Sequence, residues 1–309
     1  MSKKILCGGA FPPKSNRLII SWSLLTSCNY SCPYCYIHTN EICSNNIIDK
    51  TINAISKIKN KTINITLFGG EPTLHPQIKY IVDALSKIDN ISKIFIYTNL
   101  STEKTLLEYL IHKNCYIVSS FHPSMCSEEE YMGKVDFIHK HNPEILSIIN
   151  IMPPYNNSET LQTFLQEHNI PHRLSYIFND GRKEALTCLM YERKSNVKSL
   201  IDTQIVYEDS KKNMTLNEYL FFSKNEYKNY ICYGGVVYIF IDHKGNLYRC
   251  NNETISNNSY GSIFDDTIIG KPYHCPYSIC SCSAFIPKEI EYGLCDKLLD
   301  DTMNEDCII

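Results

Sequence analysis

Residues 17–35, which read RLIISWSLLTSCNYSCPYC, join a strand pattern directly to a cysteine-rich loop. The run Arg17–Leu25 is rich in leucine and isoleucine and contains a tryptophan, which is typical of a buried strand. Cys28, Cys32 and Cys35, called here the cysteine triplet, follow this strand. We therefore expect three thiols at the carboxyl end of the first strand of a sheet.

Beyond this loop, helix patterns alternate with strand patterns. Further strands are predicted at Thr62–Phe68, Lys93–Thr98, Cys115–Phe121, Glu144–Met152 and His172–Phe178, and helices at Asn45–Lys59, Gln77–Ile88, Thr102–Lys113, Glu128–His139 and Ser158–Glu167. Strands separated by helices predict a parallel sheet with right-handed crossovers. The predicted fold class is α/β, with a partial (β/α)6 barrel like a TIM barrel and its chemistry at the carboxyl ends of the strands.

The C-x3-C-x2-C spacing of the cysteine triplet predicts a metal site. Three thiolates can bind three irons of a [4Fe–4S] cluster and leave the fourth iron open to a small molecule. The alternative is a structural zinc site, which normally takes four protein ligands, and His38 is available as the fourth.

The triplet and the aromatic Tyr34 just before its last cysteine resemble the signature of the radical S-adenosylmethionine (SAM) superfamily. The resemblance implies a [4Fe–4S] cluster on the triplet, with the amino and carboxylate groups of SAM on its open iron and Tyr34 near the adenine. Gly69-Gly70-Glu71-Pro72, after the second predicted strand, resembles the family's motif for the methionine amino group. Glycines allow a backbone to approach a ligand closely, and Glu71 can help to place the chain.

Two later strand ends carry polar residues that the resemblance also assigns to the cofactor. Asn99 follows the third strand and Ser120 lies at the end of the fourth. By similarity to the family, they face the ribose or the methionine carboxylate of SAM. The alternative is that both are ordinary polar residues at strand ends. His122, which precedes a proline, is either a group on the substrate side or a loop residue, and the loop interpretation is preferred.

A second group of cysteines lies near a predicted β-hairpin. Val236–Ile241 and Asn246–Cys250 flank the turn Asp242-His243-Lys244-Gly245, which is a hairpin signal. Ligands on the hairpin strands and in the loop after them can form a closed four-thiolate site for zinc or for a second [4Fe–4S] cluster. The cysteines of this region are Cys232, Cys250, Cys275, Cys280, Cys282 and Cys295.

The C-x12-G-x4-C arrangement that ends at Cys250 resembles the auxiliary-cluster extension called SPASM and its shorter form, twitch. The full SPASM pattern includes a C-x2-C-x5-C-x3-C stretch, from which the later cysteines depart. The resemblance therefore implies the twitch form, with one auxiliary [4Fe–4S] cluster. Its expected ligands are Cys232, Cys250 and two of Cys275, Cys280 and Cys282, whereas Cys295 is a ligand, a hydrogen-atom donor or neither.

Composition restricts the functional classes. Of 309 residues 43% are hydrophobic, the formal net charge is −3, and neither a Lys/Arg run nor a long apolar run is present. Binding to nucleic acid or to a membrane is therefore not expected, and the protein is predicted to be cytoplasmic. In that compartment, fifteen cysteines indicate metal or redox chemistry rather than disulfides.

The expected organisation comprises a radical SAM barrel at 1–178, a linker with some helix at 179–230, and a twitch/SPASM-like iron–sulfur domain at 231–309. The resemblance implies reductive cleavage of SAM to a 5′-deoxyadenosyl radical, which abstracts hydrogen from a substrate. It also implies an external reductant such as flavodoxin or ferredoxin.

The sequence is compatible with three functions. The expected substrate is a small molecule or a short peptide, with dehydrogenation or epimerisation of a sugar or an aminoglycoside-type compound as the first interpretation. The alternative is modification of a ribosomally made peptide. Residues 1–16 are short for a leader-binding domain, and this favours the small-molecule substrate. A zinc-stabilised binding protein without enzyme activity is the third interpretation, and it leaves residues 69–72 without a role.

Overall fold

The computed structural model describes residues 4–7, 16–35, 39–175, 228–277, 286 and 288–291. The chain forms two compact units. One, called the barrel unit, comprises Ile19–Leu200 and Ile241–Gly245. The other, called the cysteine-rich unit, comprises Met1–Leu18, Ile201–Phe240 and Asn246–Ile309. Apart from residues 228–230, the predicted linker and its boundary at 178 lie outside the described residues.

Six strands follow one another across the sheet of the barrel unit. The first strand of the chain, β1 (Lys4–Cys7), belongs to the other unit, and the barrel strands are β2 (Arg17–Leu25), β3 (Thr62–Gly69), β4 (Ile91–Thr98), β5 (Tyr116–Phe121), β6 (Leu146–Ile151) and β7 (His172–Leu174). They lie side by side in chain order. Each pair from β3 to β7 is parallel.

One helix connects each strand to the next. The helices are α1 (Asn45–Ser56), α2 (Ile78–Leu85), α3 (Lys104–His112), α4 (Glu128–His141) and α5 (Glu159–Glu167). These elements overlap the predicted ones throughout and confirm the α/β class with a parallel, partial-barrel sheet. Since every crossover carries a helix, the carboxyl ends of the strands share one edge of the sheet.

The helices begin and pack as their sequences dictate. Ser127 caps α4 by accepting a hydrogen bond from the backbone N–H of Glu130, and Ser44 caps α1 in the same way. Apolar residues of α3, α4 and α5 recur at helical spacing and form one core with β5, β6 and β7. This core holds the strand ends in place.

The cysteine-rich unit contains a small antiparallel sheet and most of a hairpin, the turn of which is assigned to the barrel unit. The hairpin strands are β9 (Tyr238–Ile241) and β10 (Asn246–Tyr248), followed by helix α6 (Asn251–Ile255) and strand β11 (Gly261–Ser262). The sheet has the order β1, β13 (Lys288–Glu291), β8 (Ile231–Cys232) and β12 (Tyr273–His274). The predicted hairpin is present, with shorter strands. Strand β1 lies within the segment predicted to form the barrel, yet it pairs with β13 near the other end of the chain.

In the described regions of the chain, none of the helices combines the length and the hydrophobicity that a membrane span requires.

Candidate functional site

The cysteine triplet occupies the loop that leaves β2. Cys28 is exposed, Cys32 and Cys35 are half-buried, and none of the three forms a disulfide. The backbone N–H of Tyr30 donates to Cys28 Sγ at 3.4 Å, and a turn bond from Cys35 N to Cys32 O of 3.0 Å folds the loop. Burial raises the pKa of the Cys28 and Cys32 thiols. A bound cation would reverse this effect, since metal-bound thiols are deprotonated.

Among the described residues, no three histidine, cysteine, aspartate or glutamate side chains are placed to share a single metal ion. In a [4Fe–4S] cluster each thiolate binds a different iron. His38, the fourth ligand of the zinc alternative, lies outside the described residues.

Gly69 and Gly70 lie against the backbone that leads into the triplet. A Cβ at Gly69, whose φ is +139°, would be 2.1 Å from the carbonyl oxygen of Leu25, and one at Gly70 would be 2.0 Å from that of Ser27. The N–H groups of Gly70 and Glu71 donate to these two oxygens at 2.9 Å each. The glycines therefore hold the base of the cysteine loop. Their predicted contact with the cofactor remains a prediction, and the N–H of Gly70 already has a protein partner.

Glu71 is buried, with 1% of its surface exposed, and accepts four hydrogen bonds. One carboxylate oxygen accepts from the N–H and hydroxyl of Thr73 at 3.1 and 2.6 Å and from the Thr98 hydroxyl at 2.8 Å. The other accepts from the backbone N–H of Asn99 at 2.7 Å. Burial raises the pKa of Glu71, and these hydrogen bonds oppose the rise. Glu71 thus ties the end of β3 to that of β4.

Asn99 lies beside the first cysteine. Its amide nitrogen donates to Asn29 Oδ1 at 3.2 Å and lies 3.9 Å from Cys28 Sγ. Its oxygen accepts from the N–H of Ser101 at 2.8 Å. The structure therefore brings Asn99, predicted from the resemblance, to the triplet itself.

His122, which was interpreted as a loop residue, contacts both Tyr34 and Cys32. Its Nδ1 atom lies 2.7 Å from the Tyr34 hydroxyl oxygen and 3.4 Å from Cys32 Sγ. The ring stacks on Tyr34 and meets the edge of Tyr30. Burial lowers the pKa of His122 to about 4, so the ring is neutral near neutral pH. A histidine before a proline carries no local signal of such contacts.

Three polar residues lie level with one another on β5, β6 and β7. The register pairs Ser120 with Asn150 and Asn150 with Arg173. The Arg173 Nε atom donates to Asn150 Oδ1 at 2.8 Å, and Asn150 Nδ2 lies 3.5 Å from Ser120 Oγ. Within the region that the structure describes, Arg173 has no carboxylate partner. Only Ser120 was predicted, although a single asparagine in the apolar run of β6 is a usable signal.

In the cysteine-rich unit, three cysteines are fully buried. Cys232, Cys250 and Cys275 are 0%, 2% and 1% exposed, and none is in a disulfide. Burial raises the pKa of Tyr273, which pairs with Cys232 in the register of β12 and β8 and lies two residues before Cys275. The other predicted ligands, Cys280 and Cys282, and also Cys295, lie outside the described residues.

Residues 22–166 match the family model described as the Radical SAM superfamily. This segment is similar to radical SAM domains. It contains the triplet, the glycine motif, Asn99, Ser120 and His122, so the predicted cofactor residues of the barrel all fall inside it. Members of this superfamily are enzymes that use a [4Fe–4S] cluster and SAM.

Known proteins resemble this segment and the fold around it. GTP 3′,8-cyclase of Psychromonas ingrahamii is 31% identical over 83 residues, which are 25% of this chain and 24% of that protein. The match thus spans about a quarter of the curated relative. The solved structure of anSMEcpe with bound AdoMet and Cp18Cys peptide has a TM-score of 0.54 and 14% identity, covering 81% of this chain and 78% of that one.

The structure of SuiB from Streptococcus suis bound to S-adenosylmethionine gives a TM-score of 0.55 at 16% identity. The match covers 82% of this chain and 62% of SuiB. At these identities, the likeness to anSMEcpe and SuiB shows the fold.

The donor chemistry of this segment fits the groups that the family uses. Three thiols on one loop, without disulfides, are the ligand type of iron–sulfur clusters. The amide of Asn99 lies beside the triplet, and the hydroxyl, amide and guanidinium groups of Ser120, Asn150 and Arg173 form a row on the next three strands. These polar groups suit a ligand with amino, carboxylate and ribose functions.

Proposed function

We propose that this chain is an enzyme whose cysteine triplet holds a [4Fe–4S] cluster, with SAM bound beside it along the strand ends. When bound, these groups supply reductive cleavage of SAM to a 5′-deoxyadenosyl radical, which abstracts hydrogen from the substrate. One observation carries the proposal: side chains from the ends of β4 and β5, Asn99 and His122, reach the sulfur atoms of Cys28 and Cys32.

The chain's own residues have distinct roles in this proposal. The triplet binds iron, and the carbonyl groups of Gly69 and Gly70 face the amino group of SAM. Tyr34, held by His122, packs near the adenine. Asn99 and the row Ser120, Asn150 and Arg173 offer donors to the ribose and the carboxylate, and the guanidinium supplies the positive charge that a carboxylate needs.

We further propose that Cys232, Cys250 and Cys275 bind an auxiliary [4Fe–4S] cluster, with Cys280 or Cys282 as the fourth ligand. The three described thiols are buried, Cys232 lies opposite Tyr273 and Cys275 follows it by two residues, and closed iron–sulfur sites use buried thiolate sets. This cluster would make the cysteine-rich unit a twitch-like domain. An external reductant such as flavodoxin or ferredoxin would supply electrons.

The proposed substrate is a small molecule of the sugar or aminoglycoside type, which is dehydrogenated or epimerised. The second candidate is a ribosomally made peptide, because the similar fold of anSMEcpe is seen with a bound peptide. Product analysis by mass spectrometry separates the two, with a set of amino sugars as one group of test substrates and any short peptide encoded by a neighbouring gene as the other.

Cleavage of SAM tests the proposal directly. The reconstituted, reduced protein should release 5′-deoxyadenosine, and Cys28→Ala should abolish the release because the cluster loses a ligand. Cys115→Ala is the matched control: Cys115 is buried just before the amino end of β5, at the opposite edge of the sheet. Equal rates for Cys28→Ala and wild type would contradict the proposal.

A further inference from the structure

Two buried hydrogen-bond donors beside the C-terminal cysteines have no partner among the described residues. They are the hydroxyl of Tyr273 and the Nε atom of Arg249. A buried donor without an acceptor costs free energy, so such groups usually face a ligand, an ion or water. The surroundings of both donors show which of these fits.

Tyr273 lies directly opposite the first of the three thiols. Strands β8 and β12 are antiparallel, and their register pairs Tyr273 with Cys232. Paired residues of an antiparallel sheet project to the same face, with Cβ atoms about 4.5–5.5 Å apart. Cys275 lies two residues after Tyr273, and Arg249, which directly precedes Cys250, stacks on the Tyr273 ring at 4.5 Å. Tyr273 therefore lies among the segments that carry all three cysteines.

Arg249 precedes Cys250 and is held rigidly. Its guanidinium lies between the rings of Tyr260 and Tyr273, 4.6 and 4.5 Å from their centroids. The NH1 group pairs with Glu253 at 3.1 Å, and the other Glu253 oxygen accepts from the Arg249 backbone N–H at 2.7 Å. This pairing uses one side of the guanidinium and leaves Nε, on the side next to the backbone, without an acceptor among the described residues.

Close packing also keeps this arrangement in place. A Cβ at Gly234 would lie 2.6 Å from the carbonyl oxygen of Arg249, and the Gly234 N–H donates to Cys232 Sγ at 3.4 Å. One glycine thus fixes both the cysteine of β8 and the backbone before Cys250.

We infer that Tyr273 and Arg249 donate hydrogen bonds to an iron–sulfur cluster held by Cys232, Cys250 and Cys275, and that they raise its reduction potential. The inference rests on the proposed auxiliary cluster. Thiolates and inorganic sulfides accept hydrogen bonds, and a cluster becomes more negative when reduced. Donors and positive charge therefore stabilise the reduced form, and hydrogen bonds to sulfur are known to set cluster potentials.

The test uses the full chain with the triplet replaced by alanine, so that only the C-terminal cysteines can bind a cluster. After anaerobic reconstitution, the midpoint potential is measured by redox titration with electron paramagnetic resonance. Tyr273→Phe removes only the hydroxyl and should lower the potential by about 59 mV, which is a tenfold change for a one-electron couple. Arg249→Lys, which loses Nε, should also lower it.

Tyr260→Phe is the matched control. Tyr260 packs on the same guanidinium, but its hydroxyl already donates to the carbonyl of Ile268 at 2.7 Å. Its loss should leave the potential unchanged. Electron–nuclear double resonance after transfer to D2O should show several exchangeable protons coupled to the cluster in the parent. One of these couplings should be lost in Tyr273→Phe, whereas that of the Gly234 N–H should remain.

The outcomes separate the inference from the function on which it rests. No iron or sulfide in the triplet-free chain contradicts the auxiliary cluster. A cluster with the same potential in Tyr273→Phe and in its parent contradicts only the role of the tyrosine. If Tyr273→Phe does not take up iron, the parent protein decides: exchangeable couplings that do not exceed the one from the Gly234 N–H overturn the inference.

Discussion

At the residue scale, two cysteines of the triplet each meet a side chain from another strand end. The amide of Asn99 lies 3.9 Å from Cys28 Sγ, and the ring of His122 lies 3.4 Å from Cys32 Sγ. Groups that orient metal ligands are part of the site, since their loss typically reduces affinity or activity about 10–100-fold. The triplet therefore depends on contacts that its own spacing does not include.

His122→Phe tests one of these contacts. The substitution keeps a ring against Tyr34 but removes both polar contacts, so we expect about tenfold slower release of 5′-deoxyadenosine. We also expect a lower potential for the triplet's cluster, at unchanged iron content. His122→Gln, which keeps a polar group, should restore part of both. The control is His112→Phe, at an exposed position in α3. Normal potential and rate in His122→Phe would refute the role.

At the element scale, the end of β3 positions the cysteine loop. Gly69, Gly70 and Glu71 bond to or pack on the end of β2, and Glu71 also holds the end of β4. Three neighbouring strand ends thus form one hydrogen-bonded assembly. Substitutions here should change the loop and the stability of the sheet together.

Gly70→Ala should destabilise the chain and lower its iron content. The new Cβ would lie 2.0 Å from the Ser27 carbonyl oxygen, so the cysteine loop must move, and we expect a loss of about 1–3 kcal/mol in urea unfolding. Gly133→Ala is the control, because a Cβ at this position in α4 would have no atom of another described segment within 4 Å. There alanine should stabilise by about 1 kcal/mol through helix propensity. The same stability change at both sites would contradict the packing argument.

His75 ties the chain after β3 to the segment before α1, and it makes this contact sensitive to acid. Its Nδ1 atom accepts from the N–H of Gln77 at 3.0 Å, and its Nε2 atom lies 3.3 Å from the Cys43 carbonyl oxygen, which requires a neutral ring. Burial lowers the pKa of His75 below its usual 6.5. Its stabilising contribution is thus present above pH 6.5 and is lost as the pH falls through the lowered pKa.

In His75→Gln, which has no titrating ring, the free energy of unfolding should fall less between neutral and acidic pH than in the wild type. The free energy of unfolding is measured in urea at about pH 7 and about pH 5 for both proteins. In His112→Gln, in the exposed last turn of α3, the free energy of unfolding should change with pH as it does in the wild type. If the free energy of unfolding of His75→Gln changed with pH as it does in the wild type, His75 would not be the cause of the acid sensitivity.

At the scale of the whole molecule, the two sets of cysteines belong to different compact units. The triplet lies in the barrel unit, and Cys232, Cys250 and Cys275 lie in the cysteine-rich unit. Each unit therefore has its own proposed iron–sulfur site, and the two sites can be removed separately.

Iron and acid-labile sulfide per chain test this division. The reconstituted protein should contain about eight of each, which corresponds to two [4Fe–4S] clusters. The double variant Cys232→Ala, Cys250→Ala should contain about four, should still cleave SAM and should lose substrate turnover. About four iron atoms in the wild type would leave only the triplet's cluster, and zinc without iron would contradict both sites.

Local sequence pattern is sufficient to predict the strands and helices of the barrel unit and some residues of the candidate site. The alternation of strands and helices, the triplet and the glycine motif were all predictable, because side-chain periodicity reports burial within one segment and cysteine spacing reports a short length of chain. The strand ends Asn99 and Ser120 followed from the resemblance, since parallel strands share their carboxyl edge.

Other contacts depend on residues far apart in the chain, and only the folded structure decides them. Arg173 lies level with Asn150 through strand register, His122 reaches Tyr34 from another strand end, and Tyr273 lies opposite Cys232 in a small sheet. The pairing of strand β1 with β13 likewise joins two segments that are far apart in the chain. Register and strand order arise from packing and hydrogen bonding between distant segments, and neither leaves a signal in the residues of one segment alone.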